Sequence, residues 1–446
     1  MPDAAGRAPA WAWAGLAVVI AVYLALATAQ SYATRLQWGP DEPAHIIYVR
    51  SLATGLGLPA LTHGEQENAY LPGGARTYQA QHPPLYYALA AVVWRAFAGR
   101  PDDVVSYRDE VTGEARTFTV PGAVRPVRFL SIVLGAMTLL CVWAAARTAF
   151  PARAELWVAA AGLVGFAPMF TYDSGVVNND SLLALVFTAI GWHWAKLLRS
   201  GAGTRQAAAA GLLLGIALNV KETALALVVV SAIVLAVAPG TSSRSRRIAN
   251  ILLALGVAAT LGGWWFLRKW LIYGTPFVYP FNTPLLGLPP EQRWPLALAL
   301  PKQVFMFSFI PLDVVQRHLG VWALSRFFGG LMLLSAGGIA LLICRRRRLP
   351  VPRAEAAAIA AWVSAGALVL VGVFRFAILI DWRMGTSGGR YMVAALPLLG
   401  PVAARGLSAL FGDGKWSKVA LLIILVALAA VNALVIRATA AEYGTL

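Results

Sequence analysis

The chain of 446 residues is 59% hydrophobic and only 13% charged, against norms of roughly 45–50% apolar and about 25% charged for soluble domains. That excludes a water-soluble globular protein, because one aqueous core cannot absorb so much apolar surface, whereas a bilayer solvates it directly. A formal charge of +17 would suggest nucleic acid in a soluble chain; here it reads as membrane topology, and nucleic acid is not expected as a partner. Cys141 and Cys344 both stand in apolar runs, which excludes a disulfide framework and a thiolate zinc site.

Crossing about 30 Å of hydrocarbon at 1.5 Å per residue takes roughly 20 apolar residues, and eleven windows of that kind follow one another. They run over Trp11–Ala29, Pro126–Ala146, Leu156–Tyr172, Leu182–Leu198, Ala207–Val220, Thr223–Ala238, Ile248–Leu267, Val321–Cys344, Ala356–Ile380, Met392–Leu410 and Val419–Ile436. The fifth is short, and it is retained because omitting it inverts every later loop against the loop charges. The sequence therefore predicts an all-α polytopic membrane protein, one unit over residues 1–446, with two large segments outside the spans at 30–125 and 268–320. The first window also admits a reading as a signal peptide, since Ala27-Thr28-Ala29 resembles a cleavage site. Either way the segment after it is exported.

With the N-terminus cytoplasmic, the inner segments hold seventeen Lys and Arg residues, among them Arg244, Arg246, Arg247 and Arg345 to Arg348, and only four acids. Short loops rich in Lys and Arg stay inside, so the chain is expected in the inner or plasma membrane of the cell with most acids facing outward. Chemistry is expected in those outward segments.

Directly after the first window stands Trp38-Gly39-Pro40-Asp41-Glu42-Pro43-Ala44-His45. Pro43 suits the first turn of a helix, and acids there are favoured by the helix dipole, so a helix cap is the plain structural reading of Asp41 and Glu42. The functional reading is a general base at a partly dehydrated interface. Further on, Gln79-Ala80-Gln81-His82-Pro83-Pro84-Leu85 opens an apolar segment to Ala98 that is too short to be a span and reads as interfacial. His45 and His82 are either hydrogen-bonded structural groups or ligands. Two histidines without a defined spacing leave a divalent cation open rather than indicated, and no other cofactor is implied.

The turn from Asp173 to Ser181 places Asp180 just ahead of an apolar helix, where Asp is again a preferred cap. Lys221 and Glu222 interrupt continuous apolar sequence, where a charge at full depth costs about 2.5–3.5 kcal/mol; they either neutralise each other or meet a phosphate. Arg268 and Lys269 lie among the aromatics of Trp264 to Pro276, on the side where the loop-charge rule gives cations no role. Arg383, Arg390 and Tyr391 lie on a Gly-rich turn able to approach phosphate oxygens. Outer cations and carboxylates at one depth are what transfer from a lipid phosphate requires, the first for the anionic leaving group and the second as proton acceptor. No Walker motif, nucleotide-binding glycine fingerprint or string of acids through the spans appears.

The order of these motifs is informative. Asp41-Glu42 follows the first span, His82-Pro83-Pro84-Leu85 lies in the same loop, Arg125 to Arg128 open the second span, and Asn179-Asp180 precede the fourth. Lys221, Trp264 to Pro276, and Gly389-Arg390-Tyr391-Met392 with Pro397 complete the set. From Trp38 to Pro397 this resembles the polyprenyl-phosphate-dependent GT-C glycosyltransferases, in particular glycosyltransferase family 39, the protein O-mannosyltransferases and the lipid A aminoarabinose transferase.

The resemblance implies a GT-C fold with two juxtamembrane helices, Asp41–Ala53 and Pro83–Ala98. It implies inverting transfer of a hexosyl or pentosyl group from a polyprenyl-phosphate-linked donor to a glycan, lipid or protein acceptor on the extracytoplasmic face, among membrane lipids. Asp41, with Glu42 beside it, is the expected base, Asp180 the second carboxylate, and Lys221, Arg268, Arg383 and Arg390 the holders of the phosphate. His45, His82, Glu222, Lys269 and Tyr391 complete the candidate substrate site. Some relatives carry Lys-Pro-Pro where this chain has His82-Pro83-Pro84, and no soluble domain is expected after the last span. The competing readings are a lipid or lipid-linked glycan transporter or flippase without catalysis, and a non-catalytic scaffold. A transporter calls for charged residues in mid-membrane and for internal repeats, and these spans are mostly dry.

Overall fold

The structure, a computed structural model, describes residues 8–445 apart from 64–66, 72, 109–113, 241–242, 312–314, 346–350, 383–386 and 413. Arg383, expected at the phosphate, lies outside the described residues.

In chain order, α1 (Ala10–Ala33) leads into a first loop that holds α2 (Glu42–Ala53), a hairpin of β1 (Ala69–Leu71) and β2 (Gly74–Arg76), a short turn Tyr78–Gln81, α3 (Leu85–Ala96), and a second hairpin of β3 (Asp103–Arg108) and β4 (Ala115–Val120). The bundle continues with α4 (Val124–Ala149), α5 (Ala154–Gly165), α6 (Pro168–Ser174), α7 (Asp180–Ser200), α8 (Thr204–Leu218), α9 (Leu225–Val237) and α10 (Arg244–Tyr273). It ends with α11 (Pro290–Phe309), α12 (Val321–Arg345), α13 (Arg353–Leu379), a 3-10 stretch Ser387–Ala394, α14 (Leu396–Leu410) and α15 (Lys415–Tyr443). The all-α class and the two short helices of the first loop agree with the sequence reading. Both hairpins and α11, which contains Pro295 and Pro301, were not anticipated from it.

Among the described residues, seven helices, α1, α4, α7, α10, α12, α13 and α15, are long and apolar enough to cross a membrane, and the pair α5 and α6, bent by 63°, makes an eighth if it is taken as one broken span. The expected count of eleven spans is not confirmed: the helices at three of the windows, α8, α9 and α14, have only 15, 13 and 15 residues, short of the hydrocarbon thickness. Each is cut back at the end nearest Lys221 or Arg390: α8 stops before Lys221, α9 starts after it, and α14 follows the turn that carries Arg390. The apolar window of α12 is only 11% buried, leaving its side chains to lipid.

One polar cluster fixes how the first loop sits on the bundle. Arg128, fully buried in the first turns of α4, uses all five of its N–H donors. Nε and Nη2 donate to Glu42 at 2.7 and 2.6 Å, Nη1 to the carbonyls of Ser31 and Thr34 at 2.5 and 2.8 Å, and Nη2 also to that of Arg35 at 3.0 Å. It thereby satisfies the carbonyls left over at the end of α1. Glu42 accepts in addition from the backbone N–H of Gln37 (3.0 Å), Gly39 (3.4 Å) and Val177 (2.9 Å). A side chain at Gly39 would collide with Val176, 2.6 Å from the position of its Cβ, so glycine lets this turn press against the turn that leads into α7.

Removing one partner strands a buried charge. Arg128→Met should cost about 3–5 kcal/mol, read as a lowered thermal midpoint in detergent. The double substitution with Glu42→Gln should recover part of that loss, and a midpoint unchanged in the single variant would show that the clamp is not structural.

Candidate active site

The turn Trp38 to Glu42, held by Glu42, throws Asp41 into the left-handed region at φ 57°, which Asp tolerates better than most residues. Its side chain makes no cap on α2. Instead Oδ1 accepts from the Tyr78 hydroxyl at 2.9 Å and Oδ2 pairs with Arg390. Asp180, in the first turn of α7, likewise makes no cap and binds Lys221 Nζ at 2.8 and 2.9 Å through both oxygens. Both cap readings are therefore corrected: each carboxylate turns away from its helix toward a cation.

These groups share one cavity of about 30 Å³, lined by Asp41, His45, His82, Asp180, Lys221, Arg390 and Tyr391, and also by Tyr78, Gln79, Gln81, Asn178, Asn179, Pro280, Phe281 and Phe376. Lys221 Nζ also lies 4.6 Å from the Tyr391 ring centroid, near enough for a cation–π contact. Arg390 reaches Asp41 because Gly389 lets the 3-10 stretch seat directly on α11: a Cβ there would fall 2.1 Å from the carbonyl oxygen of Val304. Asn178 links the back of the cavity to α6, donating to Asp173 at 2.6 Å and accepting from the N–H of Asp180 at 2.9 Å.

Other residues named from the sequence lie outside that lining. Glu42 faces α4, both oxygens taken by the clamp. Glu222 pairs with Lys269 at 2.9 Å, so Lys221 and Glu222 do not neutralise each other; each finds a partner elsewhere in the chain. Arg268 is half-buried against the Trp265 ring at 5.1 Å. Of the residues reached only through the structure, Tyr78 and Phe281 carry no periodic or motif signal. Asn178 and Gln81 stand beside residues that the motifs had marked. Among the described residues no group of three His, Cys, Asp or Glu could hold a metal ion, and both cavity carboxylates already face cations, so a divalent cation is offered no donor set of the usual kind.

Burial alone would raise the Asp41 carboxyl, but Arg390, the Tyr78 hydroxyl and Lys221 together hold it below its ordinary value. Burial drives His45 down to about 3, with Lys221 and Arg390 adding to the effect against the opposing charge of Asp41. Burial, then Lys221, puts His82 well below its usual value. His45 Nδ1 shares a 2.9 Å hydrogen bond with the Tyr87 hydroxyl, and the Tyr87 ring stacks on Tyr48 at 3.8 Å, so α2 and α3 are joined by both a polar and a ring contact.

The sign of the stability effect follows. The unfolded chain takes up protons on these histidines near 6.5 while the folded chain resists down to about 3 for His45, so stability is complete above about 6.5 and falls as the pH drops through that window. The thermal midpoint in detergent should decline from pH 7 to 5, and His45→Asn should blunt the decline. An identical slope in that variant would contradict this assignment.

Comparison with known proteins bears on the frame that carries the cavity. Residues 121–265 match the family model described as dolichyl-phosphate-mannose-protein mannosyltransferase, which agrees with the resemblance read from the motifs. The oligosaccharyltransferase of Archaeoglobus fulgidus, solved with a tethered acceptor peptide, is 13% identical and superimposes with a TM-score of 0.51 over 97% of this chain and 55% of that one. The chain has the GT-C fold. It spans about half the length of that archaeal enzyme. The same enzyme, AglB, solved with an inhibitory peptide and a dolichol-phosphate, gives 16% identity and a TM-score of 0.49, covering 97% of this chain and 56% of that one. ArnT from Cupriavidus metallidurans bound to undecaprenyl phosphate gives 15% identity and 0.39, covering 90% and 78%. No curated protein matches the chain.

Proposed function

We propose that the protein is a glycosyltransferase that moves a sugar from a polyprenyl-phosphate-linked donor to an acceptor on the extracytoplasmic face, with inversion at the anomeric carbon. The observation that carries this reading is the meeting of Asp41 with Arg390 and Lys221 in one cavity. Glycosyl transfer from a phosphate needs a base for the acceptor hydroxyl and fixed positive charge where the leaving phosphate gains its electron pair. Asp41 is ionised at neutral pH and fills the first role, and Arg390 and Lys221 fill the second. Asp180 orients Lys221. Glu42 serves as the clamp for Asp41 rather than as a second base, and the Lys269–Glu222 pair and Arg268 flank the site.

The helix ends support this orientation. α4, α7 and α13 run from the cavity to Arg147, Arg199 and Arg353 at their far ends or the reverse, and α8 and α10 start at Arg205 and Arg244. The positive-inside rule supports a cavity on the outer side with the N-terminus in the cytoplasm. A second cavity of about 770 Å³, walled by α11, α12, α13 and α14, is almost wholly apolar, and Met392 and Phe374 on its wall are close in sequence to Tyr391 and Phe376 of the first. It falls within the range of ligand pockets and suits the prenyl tail of the same donor.

Purified protein incubated with a panel of polyprenyl-phosphate hexoses and pentoses should release lipid phosphate. Asp41→Asn should lower turnover by about 10²–10⁴-fold without lowering the thermal midpoint to a matching degree. Wild-type turnover in that variant, or sugar-lipid movement across vesicles with no bond cleavage, would overturn the reading in favour of transport.

A further inference from the structure

Asp41 has two oxygens with different partners. Oδ1 meets a neutral phenol, and Oδ2 meets a guanidinium that also faces the cavity where a phosphate would be held. We infer that Tyr78 is a positioning residue: it keeps Oδ1 of Asp41 permanently occupied, so that Oδ2 alone takes the acceptor proton once Arg390 turns to the phosphate. The inference rests on the reading of Asp41 as base and adds which oxygen acts and what fixes it.

The build of the turn supports a fixed rather than an incidental contact. Tyr78 is buried, its N–H donates to Asn68 Oδ1 at 3.1 Å, and its ring packs on Phe281 at 5.4 Å. The preceding Thr77 hydroxyl donates to the carbonyl of Ala44 at 3.1 Å, three residues beyond Asp41, which ties the turn to the helix that Asp41 opens. The phenol and the carboxylate therefore share one rigid body. A hydrogen bond to the charged form favours that form, and Tyr78 is among the groups that lower the Asp41 carboxyl.

The transfer step balances on these atoms. The acceptor hydroxyl oxygen bonds to the anomeric carbon as the bond from that carbon to the phosphate oxygen breaks. The electron pair leaves on the lipid phosphate beside Arg390 and Lys221, and the hydroxyl proton passes to Oδ2. With Oδ1 held by Tyr78, the carboxylate cannot rotate to follow Arg390.

The test is an infrared pH titration of the full-length protein in lipid nanodiscs, the Asp41 band being identified by its loss in Asp41→Asn. Tyr78→Phe keeps the ring on Phe281 and removes one donor, so the Asp41 midpoint should rise by on the order of one pH unit. Placing 3-fluorotyrosine at position 78, a stronger donor, should lower it. With whichever donor of the panel is turned over, Tyr78→Phe should reduce kcat several-fold with KM unchanged and move the acid limb of the rate profile up with the midpoint. A midpoint unmoved in both variants overturns the inference, even where the melting temperature falls, since that is the signature of a merely structural tyrosine. If Tyr78→Phe does not fold, the fluorinated protein decides alone. Full activity in Asp41→Asn sinks the base reading instead, an outcome distinct from an unmoved midpoint.

Discussion

The buried pair of Glu42 and Arg128 is the constraint from which the rest of the outer structure follows. Arg128 closes the end of α1, and Glu42 gathers the backbone N–H groups of the turn that follows and of the turn leading into α7. Three pieces of chain distant in sequence are thereby pinned at one point. A buried ion pair is seldom a large net source of stability against apolar replacement, but here its five donors and two acceptor oxygens specify a geometry. The product of that geometry is the left-handed turn that presents Asp41, one residue away, to the cavity.

The cavity itself is an arrangement of exchanges. Asp41 with Arg390 and Asp180 with Lys221 each place opposite charges together where desolvation would otherwise be costly. A phosphate brings negative charge that either cation can take up, and the carboxylate it leaves becomes more basic. In the proposed reaction, the same pairs that make the outer end of the bundle tolerable without a ligand would give a lipid phosphate its place and a hydroxyl its proton acceptor. The neighbouring cavity walled by α11 to α14 is almost wholly apolar, which under the proposed function suits the prenyl chain of the donor.

Much of this was legible in the sequence and some was not, for identifiable reasons. Hydropathy located each long apolar helix, because helices in lipid must satisfy their own backbone, but it missed α11, whose sequence is broken by Pro295 and Pro301, and it extended α9 and α14 a few residues toward Lys221 and Arg390. Asp41 and Asp180 were visible as acids at helix starts, and the cap reading that competes for such positions gave way because each carboxylate meets a cation contributed from far along the chain. No local pattern could pair Glu222 with Lys269 or Glu42 with Arg128, since spacing reveals partners only within one helix or hairpin. Tyr78 and Phe281 stayed hidden for a similar reason: a tyrosine in a short loop turn and a phenylalanine after a proline have no periodicity. Their relevance arises only when two loops are folded onto one another.

The most direct measurement is an experimental structure of the protein in lipid with a bound polyprenyl phosphate. The phosphate should sit within hydrogen-bonding distance of Arg390 and Lys221, with Asp41 facing it across the cavity and the prenyl chain leading toward the apolar space between α12 and α13. A phosphate bound instead beside Arg268 or at the basic opposite face, with Asp41 still paired to Arg390, would contradict the proposed site.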